Sequence, residues 1–373
     1  MPDERPLCGY CTNVHAGTTL EETVANLRLH AVAVREELGD STLGIGLWIP
    51  ESVLDQLKTR AEVHALRANL EHWGLFVYTM NGFPQRNFHA EVVKHAVYQP
   101  DWRTRARLEY TCRLAEILVD LAPDHLPELS ISTLPVGWRA AVDDVEPAIG
   151  RLTELAEFLS GLEERTGRLV HVDLEPEPGC WLDTSQDVVR LFERLPETSR
   201  RHLRVCHDIC HSAVMFEPQA KAIETYRSAG IAIGKIQVSS CPEAELRGSD
   251  RKVIDALSSF VEPRYLHQTV LQDDSGGHHF HEDLAGALGS GQLEGMLRVH
   301  FHVPLFAPSL GVLGTTQREI VECLKALGDE VPPLEVETYA WTVLPEAHRR
   351  DELAKGIADE LRWLRSTLDT YRS

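Results

Sequence analysis

The amino-acid sequence predicts an α/β protein of the (β/α)8 TIM barrel class. Short apolar runs alternate with longer helix-like segments, eight such pairs follow one another, and 373 residues are enough for a barrel with insertions. The length also permits two average domains, but no linker, low-complexity run or internal repeat divides the chain. We therefore expect a single domain that spans residues 1–373.

Eight short segments rich in apolar and β-branched residues are predicted to be the barrel strands. They are residues 7–14, 43–49, 75–80, 129–134, 169–174, 203–206, 231–238 and 334–336. A helix-length segment after each strand indicates parallel pairing through helical crossovers. A doubly wound dinucleotide-binding fold is disfavoured, because no G-x-G-x-x-G follows the first strand.

Eight longer segments are predicted to be helices. They are residues 18–38, 52–73, 102–121, 142–166, 185–195, 218–229, 315–327 and 347–371. In the first, apolar residues recur every three or four positions from Leu20 to Ala31, as on one face of a helix. Thr18 and Glu21 have the spacing of a capping box at its start.

The segment between the seventh and eighth strands breaks this rhythm. It contains two further strand-like runs, residues 265–271 and 299–306, and a turn sequence at 272–277 before His278–His281. A β-hairpin is expected there, within an insertion at about residues 239–310. In a barrel this loop lies at the C-terminal face, where active sites are built.

Composition and charge exclude several classes of partner. Hydrophobic residues make up 43% and charged residues 25%, which is ordinary for a globular protein, and the formal net charge is −20. That charge opposes binding to nucleic acids and to anionic membranes. No apolar run approaches the roughly 20 residues of a membrane span, and the N-terminus lacks a signal-peptide pattern. We expect a cytoplasmic protein whose eight cysteines are thiols.

Polar residues stand at the ends of four successive predicted strands. Glu175, Asp208, Gln237 and Glu337 end the fifth to eighth strands, so they are expected to converge at the barrel mouth. Three converging carboxylates repel one another unless they are protonated or bound to a cation. Oxygen-rich donors of this kind suit Mn²⁺, Mg²⁺, Fe²⁺, Co²⁺ or Zn²⁺. The pattern predicts one divalent metal site.

Three histidines are further candidates. His211 follows Asp208 by three residues and is expected either to reach substrate or a second metal, or to orient Asp208. His300 and His302 are two apart on a segment predicted to be extended, so both should point to the same side, with His302 favoured as the group at the site. A multinuclear site with His211 and His302 is therefore an alternative.

The remaining candidates are weaker. Lys235 lies two residues before Gln237 and is read as an acid–base group, a charge balance for Glu175, or one half of a salt bridge inside the barrel. Glu177 is a candidate base or substrate ligand. Asn81, together with Asn13 and His15, is placed at strand ends where polyols could be bound. Phe83, Trp48 and Trp341 are read as apolar walls of the site or as core residues.

The strand-end motifs resemble those of the xylose-isomerase-like TIM barrels, which include ketose 3-epimerases, inosose dehydratases, dehydroshikimate dehydratases and apurinic endonucleases. The shared elements are Leu-Glu-Pro at 174–176, Asp-x-x-His at 208–211 and Glu-Thr at 337–338. Longer motifs, at residues 9–15, 81–84, 132–135, 174–180, 206–211, 299–304 and 314–317, resemble the metabolite traffic protein EboE family over essentially the whole chain.

The resemblance implies a metal held by Glu175, Asp208, Gln237 and Glu337. Gln237 stands where many epimerases have histidine and some dehydratases have glutamine. The implied activity is proton transfer next to a carbonyl of a sugar or cyclitol, by an isomerase, epimerase or dehydratase of a biosynthetic pathway.

Glu175, His211, Lys235 and Glu337 are the candidates to move that proton. The alternatives are a multinuclear metallohydrolase of a small phosphoester and a non-catalytic metabolite-binding protein. The endonuclease activity found within this superfamily is disfavoured by the charge of −20.

Overall fold

A computed structural model of the chain describes residues 6–247, 250–291, 294–350 and 352–372. The first five residues, on which the expectation of no signal peptide partly depends, lie outside this range. Within it, no helix has both the length and the apolar character needed to cross a membrane.

Eight parallel strands close into a barrel, which confirms the predicted fold class. The strands are β1 (Cys8–Cys11), β2 (Leu43–Trp48), β3 (Leu75–Asn81), β4 (Glu128–Thr133), β5 (Leu169–Leu174), β6 (Leu203–Asp208), β7 (Ile233–Val238) and, after an inserted sheet, β14 (Leu334–Val336). Their order around the barrel is β1-β14-β7-β6-β5-β4-β3-β2. The first strand is shorter than predicted, because residues 12–15 form a 3-10 turn that begins where the Thr12 hydroxyl accepts a hydrogen bond from Trp48 N.

Helices lie between the barrel strands and also within the segment inserted between β7 and β14. They are α1 (Leu20–Asn26), α2 (Val32–Leu38), α3 (Glu51–Leu54), α4 (Arg60–His72), α5 (Arg105–Leu121), α6 (Glu146–Thr166), α7 (Ser185–Phe192), α8 (Ile209–Val214), α9 (Gln219–Ser228), α10 (Arg251–Ser258), α11 (Leu284–Gly289), α12 (Gln317–Leu327) and α13 (Leu353–Arg372). A π-helical segment, Leu27–Ala31, joins α1 to α2.

Two helix predictions need correction. The capping box of α1 is formed by Thr19 and Glu22, one residue later than predicted, because Thr19 is the extended residue whose side chain accepts from Glu22 N. The predicted helix 52–73 is divided, because Thr59 and Glu62 form a second capping box that starts α4.

The segment between β7 and β14 forms a second, six-stranded antiparallel sheet. Its strands are β8 (Pro242–Leu246), β9 (Thr269–Gln272), β10 (His278–His281), β11 (Gly295–Val299), β12 (Ser309–Leu310) and β13 (Leu313–Thr315), in the order β10-β9-β11-β8-β13-β12. The antiparallel pair of β9 and β10 is the predicted hairpin.

The predicted strand 299–306 is wrong: the chain leaves the sheet after Val299. Phe301 N bonds Val299 O in a tight turn, and Val303 N bonds Ser240 O in the loop after β7. These bonds carry His300 and His302 over the barrel mouth instead of along a strand.

The barrel interior holds a buried ion pair below the mouth. Lys235 Nζ lies 2.5 Å from Glu335 Oε2, and both side chains are fully buried. Gly46 on β2 makes room for this carboxylate, because a Cβ at position 46 would lie 1.4 Å from Glu335 Oε1.

Candidate active site

A cavity with an empty volume of about 540 Å³ opens at the C-terminal ends of the strands. This is the size of a small-molecule pocket. Its polar lining consists of Asn13, Asn81, Glu175, Glu177, His211, His300, His302 and Glu337, together with Lys94 at one side. The structure therefore brings together residues from β3, the loops after β1, β5 and β14, the start of α8 and the inserted segment.

Three carboxylates meet at the floor of the cavity. Glu175, Asp208 and Glu337 are buried, and one oxygen of each lies within 4.8 Å of those of the other two. Asp208 caps α8, so that its Oδ1 accepts from His211 N at 2.9 Å and from the Ser239 hydroxyl at 2.7 Å. Its Oδ2, like Glu175 Oε2, has no hydrogen-bond partner. These two buried oxygens are free to bind a cation.

Glu337 is oriented by two amides. Asn13 Nδ2 and Asn81 Nδ2 donate to Glu337 Oε1 at 2.8 and 3.1 Å. Asn81, predicted at a strand end, is thus at the site, and its contact is with the carboxylate. Asn13 belongs to the same arrangement.

The electrostatics of the three carboxylates call for a proton or a cation. Burial, reinforced by Glu337 and Asp208, raises the pKa of Glu175 well above its usual range. Burial and the Asp208 charge raise the pKa of Glu337 to about 8. Burial opposes the charge on Asp208 as well, but His211, His302 and its hydrogen bonds hold its pKa below the usual range. A divalent cation would replace the protons on the two glutamates.

Gln237 lies on β7 beside this cluster. Strand register aligns it with Asp208 on β6 and with Glu335 on β14, and the side chain is fully buried. Neither its amide oxygen nor its amide nitrogen has a hydrogen-bond partner. A buried amide without partners is costly, so this side chain fits a ligand role in which its oxygen binds a metal. Together with the three carboxylates, this amide would give a donor set suited to a hard or borderline divalent cation.

Three imidazoles form the next layer of the site. His211 Nδ1 donates to Pro176 O at 2.9 Å, His300 Nδ1 to Gln268 Oε1 at 2.8 Å, and His302 Nδ1 to Glu337 O. Because each acceptor is a carbonyl-type oxygen, these contacts assign the proton to Nδ1 and leave the lone pair on Nε2. His300 and His302 both face the cavity.

The Nε2 atoms point toward one another. Those of His211 and His300 are 3.1 Å apart, and His302 Nε2, which has no hydrogen-bond partner, lies 3.8 Å from Asp208 Oδ2. Burial lowers the pKa of His300 well below its usual range and that of His302 to about 4, so neither holds a second proton near neutral pH. Facing lone pairs at this distance are unfavourable unless a cation or a shared proton lies between them.

Glu177 lies at the other side of the imidazoles. Its Oε1 accepts from the Tyr98 hydroxyl at 2.7 Å and from Gln268 Nε2 at 2.9 Å, while its Oε2 is buried without a partner. Burial raises its pKa. Tyr98 and Gln268 were missed from the sequence, since neither stands at a strand end or within a recognisable motif.

Two predicted site residues lie elsewhere. Lys235 does not line the cavity, and its ion pair with Glu335 is the internal salt bridge that the sequence left as an alternative. Burial disfavours its charge, but Glu335 holds the pKa of Lys235 above its usual range, which is unsuited to proton transfer.

His15 packs behind the site, where its Nε2 meets the Tyr10 hydroxyl at 2.8 Å and its ring stacks on His30. Phe83 lines the cavity, whereas Trp48 and Trp341 are core residues.

Comparisons with known proteins identify the fold. No family model and no curated protein matches the chain. A xylose isomerase-like TIM barrel protein from Mycobacterium smegmatis, solved in complex with magnesium, is 13% identical with a TM-score of 0.54, over 99% of this chain and 98% of that one. An L-ribulose 3-epimerase is 14% identical with a TM-score of 0.53, over 99% and 96%.

A D-psicose 3-epimerase with D-tagatose, from Clostridium cellulolyticum H10, is 15% identical with a TM-score of 0.51, over 98% and 99% of the two chains. At these identities the likeness concerns the fold alone. The chain therefore has the xylose-isomerase-like (β/α)8 TIM barrel fold.

Proposed function

We propose that the protein is a divalent-metal-dependent enzyme that transfers a proton next to a carbonyl of a sugar- or cyclitol-like substrate. Isomerisation, epimerisation and dehydration share this step. The observation that carries the proposal is the convergence of Glu175, Asp208 and Glu337 on one point, with buried oxygens that lack hydrogen-bond partners. Two solved structures of similar fold, which are sugar 3-epimerases, support the substrate class.

Glu175, Asp208, Gln237 and Glu337 would hold the metal. A divalent cation bound there would supply Lewis-acid chemistry: it would polarise a carbonyl or chelate a hydroxy-ketone of the substrate and so acidify the adjacent C–H. Asp208 is held in place by the first turn of α8 and by Ser239, and Glu337 by Asn13 and Asn81. The ligand positions are thus largely formed by hydrogen bonds within the protein.

The proton would be carried by Glu175, Glu337 or His211, which all line the cavity. Burial raises the pKa of Glu175 well above its usual range and that of Glu337 to about 8, and the contact of His211 Nδ1 with Pro176 O leaves its Nε2 directed at the site. Glu177 Oε2, buried and unpartnered, would accept a hydrogen bond from a substrate hydroxyl.

A second candidate function is a multinuclear metallohydrolase of a small phosphoester. It is favoured by the three Nε2 lone pairs of His211, His300 and His302, which offer imidazole donors beside Asp208. A cytoplasmic role in a biosynthetic pathway and membership of the EboE family remain proposals that depend on the sequence motifs.

Metal content and C–H exchange separate these functions. The purified protein would be stripped of metal, reloaded with Mn²⁺, Co²⁺ or Zn²⁺ and analysed by mass spectrometry, then incubated with ketoses and inososes in D₂O. One metal per chain with deuterium incorporation next to the carbonyl is the expected result. Two or more metals with hydrolysis of p-nitrophenyl phosphate would favour the second candidate, and no bound metal would favour a metabolite-binding protein.

Two variants test the ligand assignment directly. Glu175→Gln and Glu337→Gln should each lose metal, whereas Glu193→Gln, an exposed glutamate after α7, should not. Full metal content in both site variants would show that the assignment is wrong.

A further inference from the structure

The cavity beside the candidate metal site has a polar part and an apolar part. Its floor carries the carboxylates and imidazoles, whereas its outer wall is formed by Phe83, Phe88, Val93, Val97, Tyr265 and Leu266. A free sugar carries a hydroxyl on almost every carbon. Hydroxyls removed from water against such a wall would lack hydrogen-bond partners, which is unfavourable.

Three polar side chains beside this wall are already engaged in contacts within the protein. The Tyr265 hydroxyl donates to Phe88 O at 3.3 Å, and the Tyr98 hydroxyl donates to Glu177. Lys94 Nζ is paired with Asp283 Oδ2 at 2.5 Å. The wall therefore offers mainly aromatic rings and aliphatic carbon to whatever lies beside it.

The rings form a continuous surface that begins at the imidazoles. Tyr339 lies 4.8 Å from His302 between ring centroids. Tyr265 lies 5.1 Å from Tyr339, and Phe88 lies 4.9 and 5.5 Å from Tyr265 and Tyr339. Such distances are those of aromatic side chains in direct contact. A ligand with one end on the cavity floor would place its other end against this cluster.

The wall is held in place by the backbone. It comes from two separate segments, the loop after β3 and the loop before β9, and Val93 N and Lys94 N both donate to Arg264 O, at 2.7 and 3.0 Å. The ion pair of Lys94 with Asp283 joins the loop after β3 to a third segment, the residue that precedes α11. Because the wall is built into the fold, an apolar ligand group would meet a surface that is already formed.

We propose that the substrate is a polyhydroxylated head that bears an aromatic or branched apolar substituent, and that Phe88, Tyr265, Leu266 and their neighbours bind this substituent. The inference rests on the proposed function for the position of the polar head. The apolar subsite itself does not require a metal.

The test uses matched probes that differ only in the apolar group. Methyl β-D-glucopyranoside is compared with phenyl and cyclohexyl β-D-glucopyranoside, and glycerol with 3-phenoxy-1,2-propanediol, by ligand-observed NMR and calorimetry. Each series is measured on metal-free protein and on Mn²⁺-loaded protein. Burial of a ring of this size is expected to tighten binding by about tenfold or more. The phenyl and cyclohexyl members distinguish an aromatic from an aliphatic substituent.

Two cavity variants and one control variant test which residues bind the ring of the probes. Phe88→Ala and, separately, Leu266→Ala should remove most of the gain from the ring, whereas Phe280→Ala, which removes an exposed aromatic ring outside the cavity, should not. Thermal melting confirms that each variant is folded.

Equal binding of the ring-bearing and ring-free probes, absence of binding by all of them, or a gain that survives both cavity variants would overturn the proposal. If the ring-bearing probes bind more tightly than the ring-free ones to a protein that binds no metal, the apolar subsite is supported and the proposed metal enzyme is rejected. The failure of the subsite and the failure of the proposed function therefore give different results.

Discussion

Replacing Glu337 by glutamine separates its charge from its hydrogen bonding. Its Oε1 accepts from the amides of Asn13 and Asn81, and a glutamine oxygen can accept the same bonds in a side chain of the same size. What is lost is the negative charge, which the metal-free protein buries unfavourably and which a bound cation requires.

The free-energy cost of this buried charge follows from the raised pKa of Glu337. Its displacement from 4.5 to about 8 corresponds to roughly 5 kcal/mol against the charged form of Glu337. Because the folded-state pKa is the higher one, the stability that this proton contributes is fully present below pH 4.5. It is lost as the pH rises through about 8.

Because part of this loss already occurs below pH 5, metal-free wild-type protein should lose about 4 kcal/mol between pH 5 and pH 9 that the Glu337→Gln variant keeps. For 373 residues this is a difference of about 5 °C in Tm.

The assay is thermal unfolding in EDTA at several pH values, followed by calorimetric titration with Mn²⁺ at neutral pH. The variant should melt at a higher temperature than wild type at pH 9 and bind Mn²⁺ at least about tenfold more weakly. Glu193→Gln is the matched control on the surface. The same pH profile and the same Mn²⁺ affinity in wild type and Glu337→Gln would refute both the buried charge and the ligand role.

Three further predictions follow from the same contacts. Lys235→Met should lower the free energy of unfolding, measured with urea, by about 3–5 kcal/mol, because it leaves Glu335 buried without its partner. The double variant Lys235→Met/Glu335→Gln should recover most of this loss. An unchanged free energy of unfolding in Lys235→Met would contradict the ion pair. Mn²⁺ affinity should fall as the pH decreases from 8 to 6, because the metal must displace protons from Glu175 and Glu337. Calorimetry in buffers of different ionisation enthalpy should show that metal binding releases protons. An Mn²⁺ affinity that does not change with pH would contradict this displacement. If a second cation binds the imidazoles, His302→Gln should reduce Zn²⁺ content from two per chain to one without loss of Mn²⁺ at the carboxylates, whereas unchanged Zn²⁺ content would exclude that site.

The barrel could be predicted because its evidence is local. Each strand is a short apolar run followed by a helical period, and residues 169–174 and 334–336 were predicted with the bounds that the structure shows. The carboxylates were also predictable as a group, since parallel strands end at one edge. The one-residue error in the capping box of α1 arose because Thr18 and Thr19 are both suitable caps and only the backbone conformation distinguishes them.

Apart from the β9–β10 hairpin, the inserted sheet could not be predicted in this way, and neither could the contacts of Glu177. The strand order of the sheet depends on pairings between distant segments, such as β8 with β13, which leave no periodic signal. Gln268 and Tyr98 act at the site only because tertiary contacts bring them to Glu177. Lys235 was assigned a role without its partner, although Glu335 stands two residues before Glu337, at the spacing that places both on one face of a strand.

Anomalous diffraction from crystals loaded with Mn²⁺ tests the metal site most directly. An anomalous peak enclosed by side-chain oxygens of Glu175, Asp208, Gln237 and Glu337, absent in Glu337→Gln crystals, is the predicted result. A Mn²⁺-loaded crystal with no peak among these four side chains, or with its metal bound elsewhere, would contradict the proposal that this barrel mouth is a metal-dependent active site.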